Sequence, residues 1–266
     1  MGGFVGSCKN YFTIYYVTVS NSTVTAANGS VVGGVVGTSG YTYYCTAYKC
    51  TITASKNSAG GMQGSTPVQV RYCLVKDCII TAQNYAGGLK GYRAVRSSSF
   101  SVHSNVVDGC TITATTNYAG GLFGYNYTFS AYNNTVYNST ITAEQYAGGL
   151  AGYTAGGFYY NNAVDASITA NSYVGSAFGY ALNFYYSSSL PTGMALKCYD
   201  SYFVTDLSAT SYVAGLIGSI KIADQPVDAN GTALTSDDNY YDYMYGEFFE
   251  DNVLATYINS SSTSRD

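Results

Sequence analysis

Tyr118-Ala119-Gly120-Gly121-Leu122-Phe123-Gly124-Tyr125 decides the fold, because the chain repeats this phrase along its length. Full copies stand at residues 85–92 and 146–153. Residues 173–180 keep the frame with Ser176 and Ala177 in place of Gly-Leu, and residues 212–219 are the most decayed copy. The last glycine of the phrase falls at Gly6, Gly37, Gly64, Gly91, Gly124, Gly152, Gly179 and Gly218, at intervals of 31, 27, 27, 33, 28, 27 and 39. A period of 27 to 28 residues with three longer steps marks a tandem repeat with insertions.

A second phrase precedes each copy: Thr23-Val24-Thr25-Ala26, Thr51-Ile52-Thr53-Ala54, Ile79-Ile80-Thr81-Ala82, Thr111-Ile112-Thr113-Ala114, Thr140-Ile141-Thr142-Ala143 and Ser167-Ile168-Thr169-Ala170. Alternation of polar and apolar residues with β-branched types is the pattern of a half-buried strand. A weaker third strand lies between the two phrases, at Asn134-Thr135-Val136-Tyr137 and Asn162-Ala163-Val164. No segment sustains a helical period, and a helical repeat would not tolerate paired glycines in every unit. The expected fold is therefore all-β: a right-handed parallel β-helix, or β-solenoid, of about seven coils of 27–28 residues over residues 1–222. Residues 223–266 break the repeat as an acidic, Tyr-rich cap or tail.

Stacked coils place equivalent residues above one another about 4.8 Å apart. Ile52, Ile80, Ile112, Ile141 and Ile168 are expected to form one inward ladder, and Leu89, Leu122 and Leu150 another. Tyr85, Tyr118, Tyr146, Tyr173 and Tyr212 should stack as an aromatic column. The glycines should sit at corners that need positive φ or close backbone approach.

Gly87-Gly88-Leu89-Lys90-Gly91, Gly120-Gly121-Leu122-Phe123-Gly124 and Gly148-Gly149-Leu150-Ala151-Gly152 resemble the GLUG motif, over roughly residues 1–220. Repeats of that kind occur in large surface and secreted proteins. These include adhesin-like proteins and the non-catalytic region of some bacterial immunoglobulin-A-cleaving metalloproteases. The resemblance implies a β-solenoid at the cell surface or outside the cell. Met1 falls inside a copy, Gly2-Gly3-Phe4-Val5-Gly6, which suggests a fragment of a longer array without its leader.

Composition narrows the function. Charged residues are only 10% of the chain, against about 25% in ordinary domains. Residues 1–220 carry nine Lys/Arg against six Asp/Glu, which argues against phosphate-driven nucleic-acid binding. Residues 221–266 carry two against nine. No apolar run is long enough to span a bilayer as a helix. The single histidine, His103, lies in a Ser-rich insertion and reads as an exposed loop residue. One histidine and no Cys-x-x-Cys leave zinc poorly supported. Asp77, Asp108 and Asp165 occupy near-equivalent positions and read as solvated turn residues; glycosidases and lyases need carboxylates clustered on one face. Cys50, Cys78 and Cys110 share one repeat position, and Cys45 and Cys73 share another. Both free stacked thiols and a strained disulfide are open readings. Asn-x-Ser/Thr sequons begin at Asn21, Asn28, Asn126, Asn133, Asn138, Asn230 and Asn259.

The expected function is a non-enzymatic surface or secreted repeat module, a structural stalk or adhesive surface for glycans or proteins. It takes no cofactor and is open to end-to-end self-association. Specific contacts are expected in the insertions at 93–104 and 181–200, with Arg93, Arg96, His103, Tyr185, Tyr186 and Lys197 as candidates. Two alternatives stand beside it. One is a carbohydrate-active β-helix enzyme. The other is an ice-binding face built on Thr51, Thr53, Thr81, Thr111, Thr113, Thr140, Thr142 and Thr169, which Ile79 and Ser167 interrupt.

Overall fold

In the computed structural model, residues 1–27, 31–65, 68–92, 101–127, 130–183, 196–222 and 251–260 are described. They form β-strands, turns and bends, and every strand pairing is parallel. No helix among them is long and apolar enough to cross a membrane.

One coil shows the path. Val106–Asp108 and Thr111–Ala114 lie on the first face. Tyr118–Gly120 forms the second. Phe123–Tyr127 and Ser130–Tyr132 form the third, before Thr135–Ala143 starts the next coil. Stacked coils thus make three sheets of twelve, seven and thirteen strands. The seven-stranded sheet counts seven levels, with six full turns between the first and the last. The β-solenoid is as expected, but a turn carries four or five strands rather than three. Phe123–Tyr127 has no β-branched residue to announce it. It is a strand because Lys90 on one side and Ala151 on the other offer it backbone partners.

Register across coils is set by the alternation. Ile52, Ile80, Ile112, Ile141 and Ile168 pair in sequence and are all fully buried. Leu89, Leu122 and Leu150 line a second ladder, in which Leu89 N–H donates to Leu122 O and Leu122 N–H to Leu150 O. A one-residue slip would turn the isoleucines outward and the threonines inward, so burial locks the register. Burying each isoleucine stabilises the fold by about 1.5–3 kcal/mol.

The paired glycines are needed for space rather than for positive φ. A Cβ on Gly120 would stand 2.6 Å from Gly152 N and closer still to Phe123 O. One on Gly121 would strike Gly149 O and meet Val136 at 2.9 Å. The corner is tight enough that the neighbouring coil's backbone occupies the side-chain volume. Left-handed backbone falls elsewhere: at Ser39, Gly109, Gly156 and Gly157, and on two columns of non-glycine corners. One runs through Tyr16, Tyr44, Tyr72, Ser104, Asn133, Asn161, Asp200 and Asp251, and the other through Asn21, Lys49, Asp77 and Asn138. Asn and Asp tolerate this region best, and a tyrosine there is strained.

Behind most of these corners an inward polar side chain caps the turn; behind Tyr16, in the first coil, stands Val17. Asn105 Nδ2 donates to Asn134 Oδ1 at 2.9 Å and to Val70 O at 3.0 Å. Asn134 and Asn162 repeat the arrangement one coil on. Cys45 and Cys73 begin this same column: Cys45 N–H donates to Cys73 Sγ at 3.4 Å, and Cys73 N–H to Asn105 Oδ1 at 2.9 Å. Ser201 and Asn252 end it. The second column runs Cys50, Cys78, Cys110, Ser139 in the same way. Each thiol also donates to the carbonyl two residues before it, as Cys73 does to Arg71 O at 3.2 Å. All six described cysteine side chains are free and buried. Burial pushes the Cys73 thiol well above its usual range, and Cys198 up to about 12.

The tail rejoins the stack. Val253–Ser260 pairs along its whole length with Tyr202–Ala209, adding a strand to the first sheet. Residues 223–250 and 261–266 lie outside the described residues.

Candidate functional site: aromatic columns and the threonine face

The two tyrosines that bracket each repeat phrase are brought together by the corner between them. Tyr85, Tyr118, Tyr146, Tyr173 and Tyr212 stack as expected, with centroids 5.8, 5.1, 5.0 and 4.8 Å apart and planes within 14°. A second column stands beside it: Tyr92, Tyr125, Tyr153 and Tyr180, at 5.0, 4.3 and 5.3 Å. Rings of the two columns meet edge to face, as in Tyr118–Tyr153 at 5.4 Å and 76° and Tyr146–Tyr180 at 5.3 Å and 77°. The nine rings form a herringbone strip along one corner of the solenoid. Each such contact adds about 0.5–1.5 kcal/mol beyond area burial. Burial, then the neighbouring phenols Tyr146 and Tyr85, pushes the Tyr118 hydroxyl up to about 12. Burial does the same to Tyr153. Tyr118 and Tyr153 are thereby held neutral at physiological pH, and the strip offers phenol O–H groups.

A third column occupies the opposite end of the third sheet. Tyr15, Tyr43, Arg71, His103, Tyr132, Tyr160 and Tyr199 share one register position. Arg71 lies over the Tyr43 ring at 5.9 Å. His103 stacks on Tyr132 at 4.6 Å and meets the edge of Tyr72 at 5.3 Å. The sequence placed His103 in an exposed loop. It is on the strand Ser101–His103 and only 7% exposed, because the repeat resumes before the insertion's apparent end. Burial and then Arg71 lower its pKa. Its Nδ1 lies 3.1 Å from Ser104 Oγ, and no carboxylate among the described residues orients the ring. A serine nucleophile activated by histidine and an acid needs that third group.

Other candidate residues fall as follows. Arg93, Arg96, Tyr185 and Tyr186 lie outside the described residues. Lys197 is on the strand Leu196–Tyr199, paired with Phe158. Thr53, Thr81, Thr113, Thr142 and Thr169 form an unbroken outward column with Thr25 before them. Thr51, Thr111 and Thr140 form the parallel column, broken by the half-exposed Ile79, by Ser167 and by Asp206.

Carboxylates are scattered. Asp108 pairs with Lys76 at 2.7 Å. Burial opposes ionisation of Asp108, but hydrogen bonds from Lys76, Tyr137 and Asn138 outweigh it and hold the pKa below the usual carboxylate range. That is the wrong direction for a general acid. Asp77 sits in the adjacent left-handed corner and accepts nothing from Lys76; its N–H donates to Asp108 O. Asp165 and Asp206, on neighbouring coils, line a shallow recess of about 240 Å³ with Thr140, Ser167 and Tyr257. Among the described residues no His, Cys, Asp and Glu group has metal-site geometry. Of the sequons, Asn21, Asn133 and Asn138 are exposed at corners, whereas Asn126 is fully buried and donates to Tyr159 Oη.

No family model matches the chain, and no curated protein does. Among solved structures it is similar to a crystal structure of a putative immunoglobulin A1 protease from Bacteroides ovatus. The identity is 15% and the TM-score 0.48, over 93% of this chain and 67% of that one.

Proposed function

We propose that this chain is a non-enzymatic repeat module of the cell surface or the secreted space, a stalk whose faces bind glycans or proteins weakly and many times over. The observation that carries this reading is the form of its surface. The chemically distinctive groups repeat coil after coil in columns, and they do not converge on one pocket. The herringbone strip offers phenols at every level from Tyr85 to Tyr212, and the Thr25–Thr169 column offers hydroxyls. Stacked rings use their faces on one another, so the strip offers edges and hydroxyls to a ligand. Regular spacing suits a repeating partner, because linked weak contacts multiply into avidity. The GLUG-like phrase supports the same placement outside the cell.

The second reading, a carbohydrate-active enzyme, rests on the recess between Asp165 and Asp206. A glycan array read beside a reducing-sugar assay separates the two. Binding without release supports the module. Release that is abolished by Asp165→Asn or Asp206→Asn supports the enzyme and overturns it.

A further inference from the structure

We infer that the herringbone strip is a site of oxidative modification, in which neighbouring tyrosines are joined into dityrosine and rivet successive coils together. Three observations converge on it. The rings of Tyr92, Tyr125, Tyr153 and Tyr180 lie 5.0, 4.3 and 5.3 Å apart, in adjacent coils with fixed register. Tyr125, Tyr153 and Tyr180 also have an edge-to-face neighbour in the other column and Tyr92 a tilted one, so a phenol in the strip has several partners within reach. The rings are partly exposed, which admits an oxidant, yet held, which keeps the pair together.

The chemistry needs a peroxide and a one-electron oxidant of the haem-peroxidase class. Each of two phenols loses its O–H hydrogen atom to the oxidant, leaving two phenoxyl radicals. A carbon–carbon bond forms between ring positions ortho to the oxygens. The two displaced ring hydrogens return to the oxygens, restoring both phenols. Two tyrosines and one hydrogen peroxide give one dityrosine and two waters. Aromatic χ2 torsions are broad, so the rings can turn from stacked to coupling geometry. Fixed proximity favours coupling within the strip over coupling between molecules.

The test treats the full chain with a haem peroxidase and hydrogen peroxide, dilute, with and without denaturant. The chain has no Trp, so dityrosine fluorescence is read without interference. Cleavage at acidic residues separates the ring-bearing peptides, because Asp108, Glu144 and Asp165 lie between Tyr92, Tyr125, Tyr153 and Tyr180. The expected product is monomeric, with cross-links joining those peptides, and its yield falls roughly tenfold or more in denaturant. Tyr125→Phe with Tyr153→Phe keeps the rings and the circular dichroism; it removes the links at residues 125 and 153 and leaves those that join Tyr118 to Tyr85 and Tyr146. The proposal is overturned if no dityrosine forms. It is equally overturned if dityrosine arises only between molecules or at Tyr15, Tyr16 and Tyr257, or if denaturant leaves the intramolecular yield unchanged.

Discussion

The rings of Tyr125 and Tyr153 lie 4.3 Å apart with their planes 1° from parallel, although a whole coil of chain separates the two residues. Their strands pair in register, Tyr125 with Tyr153, so the backbone ladder sets the stack and the stack reinforces the ladder. Tyr125→Ala removes contacts in both columns and should destabilise the chain by about 2 kcal/mol, whereas Tyr125→Phe should stay within about 1 kcal/mol. Denaturant titration of both variants checks this. An alanine variant as stable as the parent would mean the column is ornament to a fold held by the ladders alone.

Gly124 and Gly6 hold the same place in the repeat phrase but not the same surroundings. A Cβ on Gly124 would lie 2.6 Å from Gly91 O and 2.7 Å from Ala86 N, while one on Gly6 meets nothing within 4 Å. Gly124→Ala should therefore destabilise the chain by roughly 4 kcal/mol or more, and Gly6→Ala should be near neutral. Equal effects in thermal melts would show that the glycine is kept for a reason other than the approach of the preceding coil.

The cysteines stand where asparagine or serine stands in other coils. Cys73→Asn should be tolerated within about 1 kcal/mol, since Asn105 already does that work one coil on. Cys73→Val leaves the Cys45 N–H without its acceptor and should cost about 1–3 kcal/mol. Both are read by chemical denaturation. A valine variant at least as stable as the asparagine one would contradict the capping role.

Stability should depend on pH through His103. Its folded pKa is depressed by burial and Arg71, so below about 6.5, its usual value, the unfolded chain binds the proton more readily than the folded one. Linkage then makes stability full above that value. Stability declines as the pH falls through the window down to the folded pKa. His103→Phe keeps a ring on Tyr132 and should flatten the melting temperature across that window. A parent chain whose melting temperature does not fall on mild acidification would refute the assignment.

The interrupted threonine column gives a fifth expectation. Ile79, Ser167 and Asp206 break one of its two files, so millimolar protein should show no thermal hysteresis. Measurable hysteresis, lost in Thr113→Leu, would restore the ice-binding alternative.

Much of this architecture was legible in the sequence because the repeat is written in side-chain identity. Ile112 above Ile80, Leu122 above Leu89 and Tyr118 above Tyr85 are each the same residue at the same phase. What escaped the sequence shares a role but not a residue type. Cys73, Asn105, Asn134 and Ser201 cap one corner column because each can accept an N–H there, and no pattern of hydropathy links them. Strand Phe123–Tyr127 exists through its neighbours' backbone. His103 reads as a loop residue because it substitutes for tyrosine in a column whose other members carry no shared sequence phrase. Asp251-Asn252-Val253 is a corner of the same kind as Asn133-Asn134-Thr135. Its left-handed Asp and capping Asn follow an acidic stretch without the repeat phrase, so nothing nearby in the sequence sets their phase.

Equivalent coils stack in register, so one exact period should be removable. Deleting residues 118–145 joins Asn117 to Tyr146 and takes out one full coil at a 28-residue interval. Far-ultraviolet circular dichroism and a denaturant melt of that chain test the claim directly. A cooperative β-sheet protein, folded with one level fewer, is the predicted result. A deletion of half that length at the same point should unfold it. If the full-period deletion unfolds as readily as the half-period one, the coils are not interchangeable and the in-register solenoid is wrong.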